Sequence, residues 1–167
     1  MYILDTNIYI SFYERCYPYK NFPSFWDKIG TVLSNEVIIP KIVIDEAYQN
    51  EWFVDDFLPN AYDKSPVNHV SYSEGWSEVL NHINNSGLYK DSALTSARGW
   101  GNSTIADAWI IAIAKKEGAT IVTDELSNRR LDSVNLLKEC KIPDIANDLH
   151  VRCIRMLDFF DEVELIV

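Results

Sequence analysis

The sequence predicts an α/β fold with a parallel, doubly wound sheet. Short apolar runs rich in β-branched residues alternate with helical segments along the chain, and this alternation is typical of parallel strands joined by helical crossovers. The clearest unit spans 101–125, where a helix predicted over 104–116 runs into a strand over 119–123. With 167 residues, 47% of them hydrophobic, the chain predicts a single domain over 1–167 with its own core.

The predicted strands are short runs of apolar and β-branched residues bounded by polar or turn-forming positions. In chain order they cover 2–4, 37–39, 119–123 and 151–154. The first begins almost at once and ends at Asp5, and the third ends at the acidic pair 124–125. Acidic residues therefore stand where two predicted strands end.

The predicted helices follow from apolar residues that recur every three or four positions and from residues that typically begin or end a helix. They cover 7–13, 24–33, 41–57, 72–83, 104–116, 134–139, 141–149 and 156–160. We expect Ser24 to cap the second helix, Gly118 to end the one over 104–116, and Pro143 to lie in a first turn. Residues 92–102 are expected to form a surface loop.

Composition excludes several classes of protein. The formal net charge of −10 argues against general, sequence-independent binding of nucleic acid. It does not exclude an enzyme whose acids hold divalent cations, because bound cations reverse the local field. The three cysteines show no CxxC spacing, which indicates reduced thiols. No apolar run is long enough for a membrane span and no basic leader is evident, so we expect a cytoplasmic protein.

Acidic residues follow predicted strands or begin predicted helices at four places: Asp5, Glu46, Asp107 and the pair Asp124–Glu125. Because the carboxyl ends of parallel strands meet at one edge of a sheet, we expect these side chains to converge there. Each also has an ordinary structural interpretation. Asp5 or Thr6 would cap a helix, Glu46 would face solvent, and Asp107 would form a capping box with Thr104. Asp124 and Glu125 would be solvated turn residues.

Converging carboxylates favour a metal ion. They raise one another's pKa unless cations lie between them. Oxygen ligands without accompanying Cys or suitably spaced His favour Mg²⁺ or Mn²⁺ over zinc. Such ions can activate water and stabilise a leaving oxygen in phosphodiester cleavage. The acids therefore indicate a metal-dependent hydrolase.

LDTN at 4–7, a helical Glu46, ADAWIIAIA at 106–114 and IVTDE at 121–125 resemble the motifs of the PIN domain family. The resemblance covers nearly the whole chain. It implies a three-layer α/β/α sandwich with a mostly parallel central sheet. It further implies a metal-dependent nuclease that hydrolyses RNA, as do the VapC-type toxins of bacterial toxin–antitoxin pairs. A cognate antitoxin protein and a homodimer would follow from the same resemblance.

The resemblance also assigns roles to individual residues. The metal ligands and catalytic acids would be Asp5, Glu46, Asp107 and Glu125. Asn7 would steady the first acid. Since the last acid of the family usually stands two residues after a strand-ending threonine, Thr123 would support Glu125 and Asp124 would be its neighbour. The sequence leaves open whether Asp124 or Glu125 is the fourth acid.

Substrate contacts are assigned from charge and stacking alone. Arg98, Arg129 and Arg130 are candidates for contacts with phosphates. Trp100 could stack on a nucleotide, since stacking on an aromatic residue is worth about 1–3 kcal/mol per base. An equally good interpretation places Trp100 as a lid over the core.

Two other classes of function remain open. A phosphatase of the haloacid dehalogenase type also begins with an aspartate at a strand end, but it needs a second aspartate two residues later, where this chain has Asn7. A catalytically inactive PIN-like binding module would keep the fold without hydrolysis. No GxGxxG follows a predicted strand, which argues against a dinucleotide oxidoreductase.

Overall fold

A computed structural model describes residues 1–130 and 134–166. Its sheet consists of β1 (Tyr2–Leu4), β2 (Thr120–Val122) and β3 (Cys153–Ile154), in that spatial order and all parallel. Tyr2 lies opposite Thr120, and Ile121 lies opposite Cys153. The predicted α/β class with parallel strands is therefore confirmed, and the carboxyl ends of the described strands share one edge.

The predicted strand over 37–39 is not a full strand. Val37 makes a single parallel bridge with Tyr2, and Ile38 N donates to Tyr2 O at 2.8 Å. The chain then leaves the sheet, because Pro40 has no N–H to continue the ladder. Pro40 pairs instead with Val67 in another isolated bridge.

The helices, in chain order, are α1 Thr6–Ile10, α2 Pro23–Glu36, α3 Lys41–Glu46, α4 Leu58–Ala61, α5 Ser73–Asn85, α6 Ser92–Thr95, α7 Ala106–Glu117, α8 Ile142–Asp148 and α9 Met156–Glu162. Two π-helical turns, Ser11–Cys16 and Trp52–Phe57, and a 3₁₀ turn, His69–Tyr72, complete the helical structure of the described residues. Most predicted helices exist, with boundaries shifted by a few residues.

Three helix predictions need correction. The helix predicted over 41–57 ends at Glu46, and a π-helical turn follows only after a break. Ser24 is not a cap, because α2 begins at Pro23, which suits a first-turn position, and Phe22 occupies the cap. Residues 134–139 form no helix, since Leu137 N and O pair with the backbone of residues 88–90. Residues 92–102 are also not entirely loop, because they begin with α6.

α7 is the central helix of the core. Apolar residues that recur every three or four positions usually bury one face of a helix, but in α7 Ile110, Ile111 and Ala114 on the other faces are buried as well. This all-round burial arises because α7 contacts the sheet, α5, α8 and α3. Gly118 ends α7 with φ of +65°, a left-handed conformation that favours glycine, as predicted.

The structure can be compared with the expectations about the cysteines and about membrane spans. Cys16, Cys140 and Cys153 are all free thiols. Within residues 1–130 and 134–166, no helix combines the length and apolarity needed to cross a bilayer.

Candidate active site

A cavity of about 660 Å³ lies where β1 and β2 end. Its lining includes all the acids that the resemblance assigned: Asp5, Glu46, Asp107 and Glu125. They come from four separate parts of the chain, namely the residue after β1, the last residue of α3, the first turn of α7 and the segment after β2. The fold therefore brings these four carboxylates to one place.

Asp5 is the most enclosed of the four. Its side chain belongs to a residue that is 2% exposed, and its Oδ2 accepts a hydrogen bond from Thr123 Oγ1 at 3.0 Å. Asp5 also occupies the N-cap position of α1, although its side chain makes no capping hydrogen bond of ordinary geometry. Burial raises the pKa of Asp5 to about 6, and the negative charge of Glu125 adds to this, while hydrogen bonds from Thr123 and Asn7 act in the opposite direction.

Glu46 joins the start of α1 to the start of α7. Its Oε2 accepts from Thr6 Oγ1 at 2.5 Å, and its Oε1 accepts from Ala106 N at 2.8 Å. The second bond satisfies one of the backbone N–H groups that every helix leaves unpaired in its first turn. The solvent-facing interpretation of Glu46 is therefore wrong, because its carboxylate is held between two elements.

Asp107 has no comparable partner. The predicted capping box is absent, because α7 has Ile105 at its cap and Thr104 Oγ1 donates to Asn102 instead. Within the described part of the chain, the Asp107 carboxylate accepts no hydrogen bond. Burial raises the pKa of Asp107 well above its ordinary value, and the charges of the other three acids raise it further.

Glu125 and Asp124 point to different surroundings. Glu125 lines the cavity, where its Oε2 accepts from Ile142 N at 2.9 Å and its Oε1 lies 3.4 Å from Lys141 Nζ. Asp124 instead accepts from Met156 N at 3.1 Å, at the start of α9. Of the two adjacent acids, Glu125 is the one at the cavity.

Thr123 connects the acids that follow the two strands. Its Oγ1 donates to Asp5 and accepts from Glu125 N at 3.2 Å. Asn7 also lines the cavity and is exposed. The supporting positions suggested for Thr123 and Asn7 are therefore next to the acids, whereas Asp124 is not.

The predicted substrate contacts are corrected in part. Arg98 is exposed and lines the cavity. Trp100 also lines it but is only 3% exposed, so it packs as a lid on the core and offers no free face for base stacking. Arg130 is exposed but does not line the cavity.

Arg129 is committed to an ion pair elsewhere. Its Nη1 and Nη2 each donate to Asp148 at 2.7 Å, and its Nε donates to Tyr89 Oη at 3.1 Å. This bidentate geometry is among the strongest that Arg makes. A free phosphate contact by Arg129 is therefore not available in this structure.

The cavity residues that sequence reasoning did not assign to the site include Thr6, Lys138 and Lys141. Thr6 orients Glu46, and Lys141 contacts Glu125. Both contacts join residues that are far apart in the chain, so no local pattern marks them. Only the position of Thr6 beside Asp5 offered a signal.

The donor set suits a hard divalent cation. Carboxylate oxygens line the cavity, and burial together with neighbouring acids raises the pKa values of Asp5 and Asp107, so a bound cation would stabilise their ionised forms. Within residues 1–130 and 134–166, however, no three His, Cys, Asp or Glu side chains stand in a metal-binding arrangement. Glu46 and Glu125 each accept a hydrogen bond from a backbone N–H group, and each carboxylate keeps further lone pairs that a cation could use. The cavity residues suit a divalent cation by their ligand type and by their convergence, but among the described residues they do not form a ready coordination site.

Comparison with known proteins places the chain in a family. No curated protein and no solved structure matches it. A family model does match residues 2–166, almost the full length, and its description states no activity. The chain therefore belongs to the family described as a domain of unknown function, DUF4411.

Proposed function

We propose that this protein is a metal-dependent endoribonuclease that hydrolyses RNA phosphodiester bonds. The observation that carries the proposal is the convergence of Asp5, Glu46, Asp107 and Glu125 on one cavity. Buried acids with strongly shifted pKa values in a cleft are typical of functional sites. Such acids can support hydrolysis only when a cation balances their negative charge.

The four carboxylates would hold Mg²⁺ or Mn²⁺. When bound, such an ion supplies positive charge that stabilises developing negative charge on a phosphodiester and makes water a better nucleophile. Thr123 fixes the orientation of the Asp5 carboxylate, and Thr6 does the same for Glu46. Without a cation, burial raises the pKa of Asp5 to about 6, and a bound cation would favour the ionised carboxylate that serves as its ligand.

The choice of RNA as substrate comes from the resemblance to PIN domains in LDTN, ADAWIIAIA and IVTDE. On the same basis we propose a three-layer α/β/α arrangement. The resemblance also supplies the proposed biological setting: a cytoplasmic toxin with a cognate antitoxin and a homodimeric state. In this setting the acidic chain would act on a selected RNA instead of degrading RNA in bulk.

The phosphatase alternative is not favoured by any contact at the cavity. Its second acid would stand at Asn7, and an amide cannot act as a general acid or base in the way a carboxyl group does. The inactive-module alternative differs from the nuclease only in whether a cation binds and supports hydrolysis.

The test is cleavage of RNA with Mn²⁺ by the native protein and by Asp107→Asn. We expect native cleavage and a loss of at least about 100-fold in the variant. Asp161→Asn is the matched control, because it makes the same change at an exposed position on α9 and should cleave normally.

Three results would contradict the proposal. Cleavage that survives Asp107→Asn would place the chemistry elsewhere. Phosphate-monoester turnover that is lost in Asp5→Asn, with RNA left intact, would favour the phosphatase. Absence of both a heat signal and a thermal shift on Mn²⁺ titration, with no cleavage, would favour the inactive module.

A further inference from the structure

The proposed substrate poses an electrostatic problem that local cations must solve. RNA brings one negative charge per nucleotide to a chain whose net charge is −10 and to a cavity lined by acids. Proteins bind nucleic acid chiefly by neutralising phosphates with Lys and Arg. Arg129 is engaged by Asp148, and Arg130 does not line the cavity. Other cations are therefore needed at the site.

Three basic residues line the same cavity as the acids: Arg98, Lys138 and Lys141. Lys141 is already paired, with Glu125 at 3.4 Å and Glu139 at 3.7 Å. Arg98 and Lys138 are exposed and, among the residues described, take part in no ion pair. These two cations are available to a ligand without breaking an existing contact.

The segment that carries Lys138 is fixed in place by hydrogen bonds. Leu137 N donates to Leu88 O at 2.9 Å, and Leu137 O accepts from Lys90 N at 2.8 Å. One residue beyond Lys138, Glu139 O accepts from Asn128 Nδ2 at 3.0 Å. The backbone at Lys138 is therefore ordered before any ligand binds.

The turn that carries Arg98 is equally constrained. Trp100 N donates to Ala93 O at 3.0 Å, and the Trp100 side chain is buried in the core. Gly99 packs so closely that a Cβ there would lie 2.6 Å from the carbonyl carbon of Leu94. Binding by pre-ordered segments loses less conformational entropy than binding by flexible ones.

We propose that Arg98 and Lys138 bind phosphates of the RNA strand that enters the acid cavity, while Lys141 positions Glu125. This inference rests on the proposed function, because it takes the ligand to be RNA. It assigns the polyanion contact to two cavity residues that are not among the four proposed metal ligands.

The test measures binding without cleavage. All variants are made in the Asp107→Asn protein, and binding of a short fluorescein-labelled oligouridylate is followed by anisotropy in magnesium buffer at several salt concentrations. Lys138→Met and Arg98→Gln should each weaken binding by about three- to ten-fold at low salt. Each should also reduce the slope of log affinity against log salt by about 0.7.

Two controls separate phosphate binding from other effects. Lys116→Met removes the same charge at an exposed position on α7, outside the cavity lining, and should bind as the parent does. Lys138→Arg keeps a cation on the same segment and should restore binding. If Lys138→Met and Arg98→Gln bind as Lys116→Met does, the proposal is wrong.

The outcome also distinguishes this inference from the nuclease proposal. Cleavage by the native protein, with unchanged binding in both cavity variants, would overturn the phosphate contacts alone. Binding that depends on Arg98 and Lys138, without cleavage by the native protein, would overturn the nuclease and keep the contacts. No binding of the oligouridylate at any salt concentration would overturn the contacts whatever the cleavage assay shows.

Discussion

Asp148 and the cavity acids Asp5 and Asp107 have opposite surroundings. Asp148 accepts both Arg129 Nη atoms at 2.7 Å and lies 2.8 Å from His82 Nε2, and these partners lower its pKa. Asp5 and Asp107 lie in the cavity, where burial and neighbouring acids raise their pKa values. The same functional group is thus stabilised as a charge in one place and destabilised in the other.

This contrast separates an acid that stabilises the fold from acids at the candidate active site. The Asp148 cluster joins α5, α8 and the segment after β2, so its charge contributes to folding. Asp5 and Asp107 cost folding free energy when they ionise, since burial and neighbouring acids disfavour their charged forms. Such a cost is retained in proteins where a ligand offsets it, and unfavourable active-site charges commonly trade stability for activity.

The largest effect should separate the two adjacent acids after β2. Glu125→Gln is expected to reduce RNA cleavage by about 100-fold or more, because Glu125 lines the cavity. Asp124→Asn should leave cleavage within about three-fold, because its carboxylate contacts the start of α9 instead. Initial rates with Mn²⁺ measure both. Equal losses of cleavage in the two variants would contradict the assignment of Glu125, and not Asp124, to the active site.

The next effect is on stability as a function of pH. Because the folded pKa of Asp5, about 6, lies above its ordinary value of 3.8, the native state binds the proton more tightly. Stability that this group contributes is complete below the unfolded pKa and is lost as pH rises through about 6. In metal-free buffer, Asp5→Asn should escape this loss and be more stable than the native protein at neutral pH, by up to about 3 kcal/mol.

Chemical denaturation of both proteins from about pH 4 to neutral pH checks this result. The gap between them should close at low pH, where native Asp5 is also neutral. Mn²⁺ should close it at neutral pH by stabilising only the native protein. An unchanged pH dependence in Asp5→Asn would refute the description of Asp5 as a destabilised charge.

A smaller change in stability is expected for a substitution of Asp148, with the opposite sign to that of Asp5→Asn. Asp148→Ala should destabilise the protein by about 1–2 kcal/mol, a value reduced by partial solvent screening because the side chain is 21% exposed. The lowered pKa of Asp148 means that its contribution is present above the unfolded pKa and is lost as pH falls through the folded pKa. Thermal unfolding against Asp161→Ala, at an exposed position, isolates the loss of the cluster. A variant as stable as that control would contradict the structural role.

The smallest effect is expected from substitution of Gly118, which should change stability and leave the contacts of Asp148 and of the cavity acids unchanged. Gly118→Ala places a side chain at φ of +65° and should cost about 1 kcal/mol. Gly118→Asn should cost less, because Asn tolerates this conformation. RNA cleavage should be unchanged in both, since Gly118 lies at the opposite end of α7 from Asp107. A loss of cleavage that exceeds the loss of folded protein would be unexpected.

Local patterns were sufficient for the parts of the site that follow directly from an element. Asp5 follows a three-residue apolar strand, and Asp107 begins a helix whose end is marked by Gly118. In each case the identity of a few neighbouring residues determines both the element and the position of the acid in it. The parallel sheet then brings these positions to one edge.

Other features depend on contacts between distant residues and left no local signal. The helix predicted over 41–57 ends at Glu46, whose carboxylate bonds to Ala106 N, 60 positions away. Lys138 reaches the cavity because residues 88–90 hold its segment, and no helix forms over 134–139. Arg129 looked free in the sequence because its partner, Asp148, lies on a later helix.

The proposed nuclease requires acids from four parts of the chain to bind one divalent cation. Anomalous diffraction from a crystal grown with Mn²⁺ tests this most directly. We expect a manganese peak in the cavity, with carboxylate oxygens of Asp5 and Asp107 at about 2.1 Å and of Glu46 or Glu125 completing the site. A peak only at other residues, or no peak in crystals that contain Mn²⁺ at saturating concentration, would contradict it.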